Sequence, residues 1–238
     1  MKKRIMALAI LTGMTLVAAA ASPMGPVKPT MGRFGLEFEL GAAKRDMVRQ
    51  SAKNEEIEAE PLFFLGRLSY GLTDQVEITM RLGGQDLDAD FRPAAGTFNG
   101  SSQFAWGAGI SGILHDAGAW NVAGVANYFT SRGHTGPINL SGAITRNNEA
   151  DYSEWNIGIQ VQGKYDQFLP YLGLRYSNAR MEFDRWNNLP ETRRDYRADQ
   201  NVGLYVGAGF DLTPQWSGYV EGRFIDEIGF GGGIRYTF

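Results

Sequence analysis

The feature that most constrains this chain is an alternation of apolar and polar residues with period two, recurring in segments of about ten residues from residue 32 to Phe238. Successive side chains on a strand point to opposite faces, so each segment reads as a β-strand with one greasy face. The clearest covers residues 153–163, where Trp155, Ile157, Ile159 and Val161 alternate with Asn156, Gly158, Gln160 and Gln162. With it, ten can be counted: 32–41, 62–71, 75–84, 103–114, 119–129, 153–163, 168–178, 201–212, 216–225 and 228–238. A strand of that length, tilted, crosses a bilayer. The connections alternate too. Short ones fall at 73–74, 115–118, 164–167 and 213–215, long ones at 42–60, 85–102, 130–152 and 179–200, and a tight one at Asp226 and Glu227. Short turns on one side and long loops on the other are the pattern of a membrane barrel.

The start of the chain has a different character. Lys2, Lys3 and Arg4 precede an apolar run over 5–17 and a small-residue pattern with Ala19 and Ala21 as the cleavage pair, so residues 1–21 read as a secretory signal peptide. The run is shorter than the ~20 residues a spanning helix needs. Residues 22–31 carry Pro23, Pro26 and Pro29 and read as an extended periplasmic tether, leaving 32–238 as one β domain. Removal of the signal takes the formal charge from −3 to −6, which argues against nucleic acid as a partner. The absence of cysteine excludes both disulfides and a lipid-anchored amino terminus. The 31 glycines and 12% aromatic residues lean toward β structure.

A soluble β-sandwich also alternates. Against it, the polar faces mix Gly, Gln, Asn, Glu and Arg, as a crowded interior would, and the mean hydropathy is negative although nearly every strand has an apolar face. Aromatic residues also cluster at strand ends, at Tyr70, Trp120, Trp155, Tyr176, Trp216, Tyr236 and Phe238, where interfacial girdles lie.

The run YGLTDQVEITMRLG at 70–83, the closing stretch YVEGRFIDEIGFGGGIRYTF at 219–238 and the terminal Phe238 resemble the small outer-membrane β-barrel proteins of Gram-negative bacteria, the group of the outer membrane protein A transmembrane domain and the opacity-type porins. The resemblance implies an all-β, closed, antiparallel up-and-down transmembrane barrel in the bacterial outer membrane. Its best-known small members have eight strands where ten are counted here. It also implies that Tyr236 and Phe238 form the signal read by the barrel-insertion machinery.

Inside such a barrel the charges Glu37, Glu39, Arg67, Glu77, Arg81, Arg175, Glu221, Arg223 and Arg235 would face one another. An ion-paired network filling the lumen is expected, because barrels near eight strands have interiors just wide enough for side chains. The first and last strands are neighbours in a closed barrel, which sets Glu37 and Glu39 beside Arg235. The 179–200 loop offers Arg185, Trp186, Arg193, Arg194 and Tyr196, a mixture able to contact lipopolysaccharide phosphates or a surface ligand, although acids in the same loop nearly balance its charge. Of two histidines, His115 falls in a short turn, and His134 shares an outer loop with Ser131, Glu149 and Asp151 with no spacing that imposes a dyad. No metal or cofactor motif is present, and the chain is expected not to be an enzyme. The expected role is a narrow porin-like or structural one, with outer-membrane lipid and lipopolysaccharide as partners and no reading of oligomeric state. The alternative is a surface-binding protein acting through its outer loops.

Overall fold

The computed structural model describes residues 23–92, 96–140, 143–185 and 194–238; the expected signal peptide, Trp186, Arg193 and the side chain of Arg185 lie outside the described residues. The described chain is all-β and antiparallel. Its strands are β1 (Phe34–Arg49), β2 (Ala52–Gly71), β3 (Val76–Arg92), β4 (Gly96–Asn99), β5 (Gln103–Asp116), β6 (Trp120–Leu140), β7 (Ala143–Gly163), β8 (Phe168–Arg185), β9 (Arg194–Ala198), β10 (Val202–Asp211), β11 (Trp216–Phe224) and β12 (Ile228–Thr237).

The pairing returns on itself. From β1 it runs through β2, β3, β5, β6, β7, β8, β10, β11 and β12, and β12 pairs β1 from Gly35↔Thr237 to Lys44↔Ile228. Beyond β5, β4 takes its place between β3 and β6. Beyond β10, β9 takes its place beside β8, and because the β11–β12 hairpin ends at residues 225–227, β9 reaches β1 directly at Met47↔Ala198 to Arg49↔Tyr196. The circuit thus loses two strands toward its far end. A narrower ring leaves room for side chains and little else.

The segments expected as long outer loops are mostly strand. β1 continues to Arg49, turns at Gln50 and Ser51, and returns as β2, and β3, β6, β7 and β8 extend in the same way. The cause is a period-two pattern that never stops and only exchanges its faces. On β1 the outward side reads Phe34, Leu36, Phe38, Leu40, then Lys44 and Asp46. The inward side reads Glu37 and Glu39, then Ala43, Arg45 and Met47. On β3 the outward side passes from Ile78, Met80 and Leu82 to Asp86, Asp88 and Asp90, and the inward side from Glu77, Thr79 and Arg81 to Leu87, Ala89 and Phe91. One half of the molecule is greasy outside and polar inside; the other half is charged outside and apolar inside.

The greasy exterior forms a belt. Its outward run on β1, Phe34 to Ala42, is nine residues, which at about 3.3 Å per residue and a tilt near 40° spans roughly 20 Å. Cross-strand aromatic pairs border it on both sides, Trp106–Tyr128 and Trp155–Tyr176 on the extended side (centroids 5.7 and 5.5 Å), Phe34–Tyr70 and Trp216–Tyr236 on the turn side (4.6 and 5.0 Å). On the turn side two connections share one device: Thr73 Oγ1 accepts from the N–H of Gln75 and Val76, and Thr213 Oγ1 from Gln215 and Trp216. Prolines within strands fall where a donor can be lost, as at Pro137 in the register shift between Gly136 and Ile138.

The proline-containing amino-terminal segment, expected to be an extended periplasmic tether before the first strand, lies inside the ring. Met24 and Val27 are buried to 1% exposure. Strand pairing begins only at the bridge between Met31 and Gly71.

Candidate functional site

The interior of the ring is the only part of the described chain where ionisable side chains converge away from bulk water, and it is layered. Nearest the turns, Arg67 lies between three acids, with Nη1 at 3.5 Å from Glu37 Oε1 and 3.4 Å from Glu39 Oε1, and Nη2 at 3.1 Å from Glu77 Oε1. Arg81 donates from Nε to Glu39 Oε2 at 2.8 Å and from Nη1 to Asn127 Oδ1 at 2.9 Å. Arg235 pairs with Glu77 at 3.1 Å. The expected approach of Glu37 and Glu39 to Arg235 is thus replaced: Glu37 and Arg235 are register partners, but the guanidinium reaches on to Glu77 and leaves both glutamates to Arg67 and Arg81.

A second layer lies where the ring narrows, and of its charges only Arg175 and Arg223 are among those expected inside. Arg45, Arg175 and Arg223 surround Asp226 and Glu227, the two acids of the tight β11–β12 connection. Arg45 Nη2 is 2.6 Å from Glu227 and 3.1 Å from Asp226, Arg175 Nη2 is 2.7 Å from each, and Arg223 Nη1 is 3.2 Å from Glu227. Glu154 adds a contact to Arg45 at 3.3 Å, and Ser177 donates to Asp226 at 2.6 Å. Arg45 falls in the 42–60 stretch expected as loop, although continuing the two-residue period from Glu37 and Glu39 puts it on the same face, and Glu154 lies on the polar face of the 153–163 segment. Asp226 and Glu227 carried a different signal, two adjacent acids in a turn flanked by apolar residues. Ile225 beside them has φ +84°, a strained conformation for a β-branched side chain, held where its neighbours are fixed by three arginines.

The amino-terminal segment runs beside the first layer and on toward the turns. The N–H groups of Met24 and Gly25 donate to the two carboxylate oxygens of Glu221 at 3.1 and 3.0 Å. Gln160 donates to Gly25 O at 3.3 Å, and Arg81 to Pro23 O at 3.3 Å. Gln162 accepts from the Val27 N–H and donates to the Val27 carbonyl. Lys28 pairs with Asp211. A cavity of about 630 Å³ opens beside this segment at the turn end, lined by Pro26, Lys28, Asn121, Gln162, Asp211 and Trp216 among others.

Beyond the second layer the interior is an apolar core of Met47, Ile57, Leu87, Phe91, Phe98, Met181, Phe183 and Tyr196 with their neighbours. Tyr196, expected at a binding loop, packs here against Phe91 and Phe183, and Arg194 is 3.0 Å from Glu55. At the edge of this core His134 is fully buried. Its Nε2 is 2.7 Å from Ser131 Oγ and its Nδ1 2.8 Å from the carbonyl of Ser101, with Ser131 also bonded to Gln85. No spacing imposes this contact; the register shift between Ser131 and His134 folds the strand so that the two meet. The Ser101 carbonyl can only accept, so Nδ1 carries the proton and Nε2 accepts from the Ser131 O–H. Both side chains are sealed from solvent, so the pair fastens the break between β4 and β5. Burial holds the His134 pKa below the ordinary 6.5.

On the outer face of the extension, Glu58, Glu60 and Asp90 bring carboxylate oxygens within 4.8 Å of one another, and Lys44 donates to both glutamates. At the seam, the terminal residue is clamped to the first strand, with Phe238 N–H on Phe34 O at 2.9 Å and Arg33 on Phe238 O at 2.7 Å, while Tyr236 and Phe238 stack edge to face at 4.9 Å.

No family model matches the chain, and no curated protein matches its sequence. Among solved structures it is similar to the outer-membrane protease OmpT of Escherichia coli (15% identity, TM-score 0.46, covering 91% of this chain and 100% of that one). It is also similar to an outer-membrane channel of Pseudomonas putida (11%, 0.45, 92% and 99%) and to the translocator domain of the autotransporter NalP of Neisseria meningitidis (11%, 0.45, 100% and 94%).

Proposed function

We propose that this chain is an integral outer-membrane β-barrel of ten crossings, exported by its amino-terminal signal, which anchors a rigid charged β-turret on the outer surface and keeps its own lumen closed at rest. The observation that carries the reading is the exchange of faces at one level on neighbouring strands. A soluble sheet has no reason to expose Phe34, Leu36, Phe38 and Leu40 and then, on the same face of the same strand, Lys44 and Asp46. A wall passing from lipid to water does. The aromatic pairs at both borders of the belt support it.

Three fillings support a closed lumen rather than a porin-like passage: the amino-terminal segment, the two arginine–carboxylate layers and the apolar core where the ring narrows. Exchange of charged partners remains the way such layers could admit an ion, but a solute would have to part all three. Contact with lipopolysaccharide or another surface partner falls on this reading to the turret's charged exterior, including Arg180, Asp195 and Arg197, and not to Tyr196.

Refolding in detergent, insertion into vesicles and recording in planar bilayers test the proposal. A folded form that resists detergent until boiled, inserts, and shows no steady openings is expected. Free solubility without detergent overturns the membrane assignment, and steady ohmic conductance overturns the closed lumen.

A further inference from the structure

We propose that the turn-side interior of the ring is a binding site for an extended peptide, and that residues 23–30 are its resident and displaceable ligand. The site reads main chain. Glu221 takes two consecutive N–H groups, Gln162 takes the N–H and the C=O of one residue, Gln160 takes a carbonyl and Arg81 another, all from side chains of the wall. It also sorts side chains, since Met24 and Val27 enter an apolar patch of Ala123, Val125, Tyr171 and Tyr205. The ligand class is therefore an extended peptide with apolar residues three apart, and the proline at every third position, Pro23, Pro26 and Pro29, suits it. Proline-rich chain is already extended and loses little freedom on docking.

Displaceability follows from what the segment does not do. Its hydrogen bonds to the wall go to side chains, and its ladder contacts start only at Met31. Withdrawal therefore leaves the sheet intact. Of the groups it would abandon, Gln162 and Asp211 line the cavity of about 630 Å³, and the space vacated by the segment itself would admit water from there to Glu221, Gln160 and Arg81. An occupied and an emptied site are thus both hydrogen-bonded, which is not true of a strand pulled from a sheet.

The test starts from the full chain. A recognition sequence for a site-specific protease is inserted after the exposed Thr30, the protein is folded in detergent and then cut, and a fluorescent synthetic peptide of residues 23–30 is added. Saturable anisotropy is expected as the label exchanges with the cut fragment, with competition by unlabelled peptide. Gln162→Ala, which removes two hydrogen bonds, should weaken binding about tenfold. A peptide carrying Met24→Asp should not bind, and this arm leaves the protein untouched should Gln162→Ala fail to fold. A fragment that never exchanges, a labelled peptide that never saturates, or binding indifferent to both substitutions overturns the proposal. The site lies wholly in the interior, so failure to insert into vesicles and failure to exchange peptide are distinct results.

Discussion

Gln162 holds Val27 by both of its main-chain groups, accepting from the N–H at 3.0 Å and donating to the carbonyl at 3.2 Å, across 135 residues of chain. A single side-chain amide thereby imitates a neighbouring strand for one residue of a segment that has none. That contact fixes the depth at which the amino-terminal segment sits, and places its next-door Pro26 against β10.

A cross-link can read this placement. A Cβ built on Gly209 would lie 3.3 Å from Pro26 Cβ, close to the ~3.8 Å typical of a disulfide. The chain has no cysteine to compete. Pro26→Cys with Gly209→Cys should oxidise spontaneously to an intramolecular disulfide in the folded protein, seen by peptide mapping with and without reductant. Two free thiols in folded protein would put the segment outside the ring.

The second charged layer predicts an asymmetry between variants. Glu227 is shared by Arg45, Arg175 and Arg223, all fully buried, so Glu227→Gln strands positive charge without water and should cost about 3–5 kcal/mol. Arg235→Gln removes a single contact to Glu77 from a partly exposed guanidinium and should cost clearly less. Urea refolding midpoints followed by gel mobility compare the two. Equal losses would mean that the layer is not the shared network described.

How much of this was legible in the sequence follows from what the two-residue period can and cannot carry. It shows which residues share a face, so Glu37, Glu39, Arg67, Glu77 and Arg81 fall together inside on the pattern alone. It marks a strand plainly only while the greasy phase stays the same. Glu56-Ile57-Glu58-Ala59-Glu60 and Asp86-Leu87-Asp88-Ala89-Asp90 keep the period and reverse its meaning, and their density of charge resembles that of a loop. Which acid an arginine chooses depends on side-chain reach rather than register, hence Arg235 on Glu77. The Ser131–His134 contact depends on a register shift that no spacing announces. The destination of the proline segment is a matter of available volume inside a closed ring, which a linear pattern does not contain.

His134 gives the extension a pH dependence of definite sign. Burial favours the neutral ring in the fold, so below the ordinary pKa of 6.5 the unfolded chain binds the proton more readily. Stability is fully present above that value and declines as pH falls through it. The temperature at which the folded gel form is lost should therefore drop between about pH 8 and pH 5, and His134→Gln should flatten that part of the profile. An unchanged slope in the variant would assign the dependence to other groups.

On the outer face of the turret, Glu58 stands directly opposite both Asp90 and Asp46, and Glu60 opposite Asp88, an arrangement that costs stability in a sheet. Lys44 and Arg92 are the cations set among these acids. Lys44→Ala should lower the refolding midpoint at low ionic strength by an amount worth about 1 kcal/mol or less, and roughly 1 M salt should erase the difference. A loss that persists in high salt would point to packing of the lysine stem in place of its charge.

The grip on the amino-terminal segment can be altered without touching it. Tyr171 lies over Gly207 on the neighbouring strand, where a Cβ would come within 2.3 Å of its phenol, and Tyr205 lies over Gly173 in the same way. The Tyr171 hydroxyl donates to Glu221 Oε2 at 3.1 Å, and the same oxygen receives the Gly25 N–H. A side chain at Gly207 must therefore push Tyr171 aside, and with it the carboxylate that holds Met24 and Gly25. Gly207→Val should lower the yield of the cross-link between cysteines at positions 26 and 209 while leaving detergent resistance of the barrel intact, because the ring's own ladder does not pass through the tyrosine. Were the yield unchanged, Glu221 would not depend on Tyr171 for its aim, and the segment would be held chiefly by Gln160 and Gln162.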